Sequence, residues 1–266
     1  MVSRCIVSAI ATAAIMLANL PVHADSTLVV QDSDGLKSTI QVKNGKGKMS
    51  TTGMDEYIIY DTGARTLTYV EPQQQRYTQM SEDRLEANVQ AAANLQKTVA
   101  PYMADMLASL SPAQRRMVEQ RMGKALSPPA AGHNAKADIK TVARGNHSIA
   151  GLHCKASGIV KNGRPAAEVC MVTAPGGKLS KQDFATLEAI VTFSRGMASS
   201  ASGMLGDLAG QLEFLATDID GVPIAVRDLE RGKRYQVTAV SNTALSDALF
   251  SGYGQFEKQE MPGLLR

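Results

Sequence analysis

The chain has 266 residues, 44% of them hydrophobic and 5% aromatic, no tryptophan, and 28 basic against 25 acidic side chains. A charge so close to balance excludes the electrostatic footprint of a nucleic-acid binder or of a strongly membrane-surface-bound protein. The length suffices to bury a proper core, as one large domain or as one domain with insertions.

The first 24 residues, MVSRCIVSAIATAAIMLANLPVHA, place Arg4 ahead of an apolar run from Ile6 to Leu20 and end on Val22-His23-Ala24. That order predicts a secretory signal peptide cleaved after Ala24, hence a periplasmic protein. An apolar run of about 15 residues is short against the roughly 20 needed to span a bilayer. Cys5 precedes the run and is misplaced for a lipid-modified first residue. Residues 25–266 contain no second long apolar segment, so the mature chain is expected to have no transmembrane segment.

From Ser26, "STLVVQDSDGLKSTIQVKNGKGKMSTT" alternates β-rich runs with turn clusters at Asp32–Gly35 and Asn44–Lys48, which predicts a meander. "EYIIYD" and "TLTYVE" continue it around Thr62–Arg65, and "QRYTQM" follows the bend at Pro72. Their alternation suggests one apolar and one mixed face, with Ile58, Tyr60, Leu67 and Tyr69 as candidates for an apolar cavity or core. Ser81 is a good N-cap for a helix that Pro101 should end or kink. "SPAQ" at Ser111–Gln114 has capping-box spacing with proline at the first helical position, so a helical insertion is expected over about 81–126. Met103, Met106, Met117 and Met122 lie on these helices. Methionine suits surfaces that adapt to variable apolar partners, and core filling is the alternative for all four.

"SPPAAGHNAKAD", residues 127–138, is the expected linker. In "CKASGIVKNGRPAAEVC" the Asn162-Gly163 turn predicts a hairpin that brings Cys154 and Cys170 opposite or nearly opposite each other. An even cysteine pair in an exported chain predicts a structural disulfide. "SKQD" opens a second helix near Ser180 through Phe184, Leu187, Ile190 and Val191, and a last hairpin turns at Glu230–Lys233. Strands, helices, strands, helix, strands is an α+β order, most simply an antiparallel sheet with its helices on one face.

Motifs of chemistry are sparse. His147 and His153, placed in one strand region, would share a face about 20 Å apart, too far for one metal unless the chain turns near Gly151, and His133 falls in the linker. "TDIDG" at Thr217–Gly221 lacks the third ligand and the downstream glutamate of a calcium loop. The glycines of "NGKGK" form no phosphate loop, and no nucleophile motif is evident. No catalytic constellation, metal or cofactor is therefore expected.

"EYIIYDTGARTLTYVEPQQQRYTQM" resembles the strand text of the LolA/LolB-like superfamily of exported bacterial proteins, closest to a branch of unknown function. The resemblance extends to "LSPAQRRMVEQRM", to the cysteine of "IAGLHCKAS" and to "LFSGYGQF". It implies a strongly curved antiparallel sheet, an incomplete β-barrel, with helices over its opening and an apolar cavity between. Characterised members carry lipids or lipid-modified proteins. The expected protein is thus a non-enzymatic binding module for a lipid, acyl chain or lipidated partner. The alternative is an envelope structural or interaction protein with a filled core.

Overall fold

The computed structural model of the chain describes residues 25–111, 114, 138–200 and 219–260. Six strands come first: β1 (Ser26–Asp32), β2 (Lys37–Lys43), β3 (Lys46–Thr51), β4 (Tyr57–Asp61), β5 (Thr66–Glu71) and β6 (Arg76–Ser81). Helix α1 (Glu82–Ser109) is followed by β7 (Ile139–Ile149), β8 (Leu152–Lys161) and β9 (Arg164–Val172). Helix α2 (Lys181–Ser200), β10 (Val222–Asp228), β11 (Arg234–Asn242), the single turn α3 (Ala248–Ser251) and β12 (Glu257–Gln259) complete it. The expected signal peptide, the second half of the helical insertion apart from Ser111 and Gln114, and the linker apart from Asp138 lie outside the described residues, as do Met117 and Met122.

All twelve strands form one sheet in the order β12-β6-β5-β4-β3-β2-β1-β11-β10-β9-β8-β7. The expected α+β fold, a curved antiparallel sheet closing into an incomplete β-barrel with helices covering one face, is overturned. Strand dominates the described chain, and the sheet is open, with β12 and β7 as its edges. It is also mixed, because β12 runs parallel to β6 with Glu257 opposite Arg76. The reason is topological. Two meanders, β1 to β6 and β7 to β11, join through β1 and β11, and further strands extend the sheet outward from that seam.

Local chemistry explains the hairpins. Asn44 and Gly45 (φ 48° and 77°) and Asn162 and Gly163 (φ 51° and 77°) form two-residue turns whose left-handed backbone matches strand twist. The helix starts are capped as their sequences require. The amide of Arg84 donates to Ser81 Oγ at 3.3 Å, and that of Asp183 donates to Ser180 Oγ at 3.0 Å. Ser111 and Gln114 close a reciprocal capping box, Gln114 N donating to Ser111 Oγ and Ser111 N to Gln114 Oε1. Helix α1 continues through Pro101, which removes one backbone donor without ending it. The strands it leads between, β6 and β7, stand ten intervals apart in the sheet. At about 4.8 Å per interval a flat sheet would separate them by about 48 Å. The 28 residues of α1 cover about 42 Å of such a crossover.

Helix α2 lies on the sheet and contacts β2, β3 and β10. Its buried side chains, Phe184, Leu187, Ile190, Val191 and Phe193, pack with Leu28, Val30, Ile40, Val42, Ile58, Tyr60 and Leu67. Gly47 permits the close approach, since a Cβ there would lie 2.2 Å from Ile190 Cδ1.

The opposite face of β4 and β5 is covered as well. Ile59 (2% exposed) and Val70 (0%) alternate with the residues facing α2 and are as buried as they are. The segment after β11 crosses this side: α3 contacts β3, Phe250 is buried, and Tyr253 sets its ring edge-on to Tyr77 at 4.9 Å. Leu245 N donates to Asp25 Oδ2 at 2.7 Å where the crossing begins, and Glu257 N donates to Gln75 O at 2.8 Å where it ends.

Cys154 on β8 and Cys170 on β9 are joined in a disulfide with a Cα separation of 5.4 Å. They are diagonal neighbours, since Cys170 is opposite Ala156, two residues beyond Cys154.

Two outcomes follow from this packing. Gly47→Ala should lower stability by about 1–3 kcal/mol through overpacking, and Ile190→Val in the same chain, which removes the clashing methyl, should recover part of that loss in urea titrations. Replacing both Cys154 and Cys170 by serine should cost about 3 kcal/mol, the chain-entropy value for a loop of about 15 residues. Thiol titration of the native wild-type protein should find neither cysteine reactive.

Candidate functional site

A groove of about 400 Å³ opens on β7 to β10, the last of which α2 also contacts. Its floor comes from strand register. Cys170 is opposite Ala156 on one side and Ala225 on the other, so three small residues form a row across β8, β9 and β10. Ile149, on the same face, adds apolar wall.

Two residues along each strand, hence on the same face, runs a second and charged row. Gly158 is opposite Glu168, Glu168 opposite Arg227, and Arg227 opposite Arg234 on β11. Arg144 joins this row from β7 through a bulge between Ala143 and Gly145, where Gly145 has φ 99°. A bulge re-aims a side chain. Here it lays the guanidinium across β8, where a Cβ on Gly158 would sit 2.9 Å from Arg144 Nε. Arg144 then reaches Glu168 Oε1 at 3.0 Å, and Arg227 approaches Glu168 Oε2 at 3.5 Å. Arg234 makes no ion pair among the described residues. Three arginines and one glutamate therefore rim an apolar floor.

Of the residues singled out from sequence, His147 and Cys170 line the groove and the others lie elsewhere. Ile58, Tyr60 and Leu67 are 0–3% exposed and belong to the packed core beneath α2, with Tyr69 packed against it. Tyr60 stacks on Phe193 at 4.9 Å. They fill that space rather than line an opening. Met106 is exposed on α1, outside the core. Met103 lies on the same helix, with its side chain outside the described set. His147 and His153 do not share one strand. The chain turns at Ala150–Gly151, placing His147 opposite Cys154 and His153 opposite Ser148, so the two imidazoles leave the sheet on opposite faces. Among the described residues no three His, Cys, Asp or Glu side chains come together as a metal site, and no helix is long and apolar enough to cross a membrane.

Tyr60 also carries the strongest electrostatic perturbation. Its hydroxyl donates to Glu82 Oε1 at the start of α1, and Arg65 Nε donates to Glu82 Oε2 at 2.6 Å. Burial, and then the Glu82 bond, push the Tyr60 phenol well above the ordinary tyrosine range. This set ties α1 to the β4–β5 hairpin.

No family model matches the chain, and a comparison with curated proteins found no match. Among solved structures it aligns with an uncharacterised conserved protein of Thermus thermophilus at 8% identity and a TM-score of 0.37, over 90% of this chain and 92% of that one.

Sequence reading missed Arg144, Gly158, Glu168, Arg227 and Arg234. The Asn162-Gly163 turn and the Glu230–Lys233 turn set the local alignments within the β8–β9 and β10–β11 hairpins. The β9–β10 pairing that unites them spans about fifty residues and leaves no local signal.

A phenol whose pKa is raised by folding binds its proton more tightly in the native state. Its contribution is intact below the unfolded value and is lost as pH rises above about 10. Urea titrations should therefore show stability falling from about pH 10 upward. Tyr60→Phe should lessen that fall while costing about 1.5–3 kcal/mol at neutral pH for the lost bond to a carboxylate. Tyr57, whose phenol burial and Tyr253 also push up, contributes to the residual slope, as do Lys43 and Lys233, raised chiefly by their bonds to Asp247 and Asp34.

Proposed function

We propose that this chain is an exported periplasmic binding protein, released after Ala24, that holds a lipid, an acyl chain or a lipidated partner without chemically transforming it. The ligand lies in the groove on β7 to β10, not beneath the helix. The observation that carries this reading is the Ala156–Cys170–Ala225 row, which leaves about 400 Å³ of apolar-floored space on a face filled elsewhere by α2. That volume falls within the range of small-molecule sites. The groove's ionisable groups are three arginines, a glutamate held between two of them, and His147, an arrangement suited to fixing a ligand's orientation.

A second reading, an envelope interaction protein without a small ligand, draws on the filled space under α2 and on β7. That strand is an exposed sheet edge with Ile139 and Val142 about half accessible.

Native mass spectrometry and lipid extraction of the protein purified from the periplasm separate the two. The binding reading expects a co-purifying amphiphile that is lost in Ala156→Leu, which fills the floor, together with an N-terminus at Asp25. A ligand-free protein that recovers a stoichiometric protein partner sensitive to Val142→Lys would instead establish the second reading.

A further inference from the structure

We propose that the row formed by Arg144, Arg227 and Arg234 is an anion subsite that holds the carboxylate or phosphate head of an amphiphile whose apolar tail lies on the Ala156–Cys170–Ala225 row. The inference rests on the groove being the binding site and specifies the chemistry of what it takes.

Three features point to an anion. Arg227 and Arg234 are direct partners across β10 and β11, and like charges opposite one another are destabilising unless an anion lies between them. Glu168 neutralises only part of the row. Its Oε1 faces Arg144 and its Oε2 faces Arg227, leaving further N–H donors on both guanidiniums and all those of Arg234 uncommitted among the described residues. Finally, Arg144 is specifically steered into the row by the bulge at Gly145 and by the missing side chain at Gly158. A guanidinium is planar, permanently charged and suited to bidentate capture of a carboxylate or phosphate.

The spacing of the rows defines the ligand. Neighbouring rows on one face are two residues, about 6.8 Å, apart along the strands. A head gripped between Arg227 and Arg234 therefore starts its chain directly beside the small-residue floor. The recognised class is an anionic single-chain amphiphile, with head and tail read by adjacent rows of the same sheet.

Titration calorimetry of the mature chain with decanoate, 1-decanol and inorganic phosphate tests this. Decanoate should bind at least about tenfold more tightly than decanol, from the charge-assisted bonds it alone makes, and should weaken as salt rises. Arg227→Gln with Arg234→Gln should abolish that preference, weakening decanoate far more than decanol. Glu168→Gln, which removes the resident carboxylate, should tighten decanoate binding. Equal affinity for decanoate and decanol, or insensitivity to the arginine changes, overturns the anion subsite while leaving the groove as a binding site. Phosphate binding as tightly as decanoate overturns the head-and-tail assignment. Binding of none of the three overturns the groove reading itself.

Discussion

The pairing of β1 with β11 joins two meanders that would each otherwise end in an open edge, and the remaining architecture is arranged around that seam. Leu28 meets Val240 and Val30 meets Val237, residues more than 200 positions apart in the chain. Polar side chains fasten the same place. Ser26 Oγ donates to Asp183 Oδ2 at 2.7 Å, fixing the first turn of α2 to β1, and Asn242 Nδ2 donates to Lys178 O at 2.7 Å just before that helix. Asp183 thus contributes to the start of α2 through its amide and to the seam through its carboxylate. Contacts of such sequence separation bear the full loop-closure cost before any reward, so assembly of the seam is the slow, late step expected for this topology.

Once the seam holds α2 against β2 and β3, the centre of the sheet is buried from both sides. On one side the helix presses Ile190 into the gap left by Gly47. On the other, the crossing segment buries Phe250 and covers Ile59 and Val70. A strand enclosed on both faces loses the alternation that marks a half-exposed one, and "YIIY" in β4 is continuous and apolar for that reason. In the far half of the sheet the large buried residues Leu152, Met171, Val172, Val222 and Ile224 gather at one end of β8 to β10, and the groove lies further along these strands, over the small-residue row.

This division also decides what was legible in the sequence. Asn44-Gly45 and Asn162-Gly163 encode their own backbone, and Ser81 and Ser180 encode their helix starts, so these elements were readable from a few neighbouring residues. That the mixed face of β4 and β5 is covered could not be read, because its cover arrives from residues 245–256 and no local pattern announces a distant partner. The histidine pair was misplaced because Ala150-Gly151, with its short non-polar side chain in a left-handed turn, is a weak turn signal. The sheet's width was hidden for the same reason as the seam. Each hairpin was visible, but the edge along which the two meanders meet was not.

The charged row depends most on register. Slipping one strand by a single residue sends every side chain on it to the other face, so Glu168 would leave Arg144 and Arg227 while Cys170 left the two alanines. Hydrogen bonding along the ladder is periodic and resists such a slip only weakly. The disulfide resists it strongly, because it links β8 to β9 within two residues of both rows. Its loop-entropy contribution to stability would be similar for many placements along the hairpin, but its effect on the groove would not. At this position it fixes the alignment that sets small residues beside small residues and arginine beside glutamate. The covalent bond is therefore a constraint on the geometry of the site as well as on the unfolded chain.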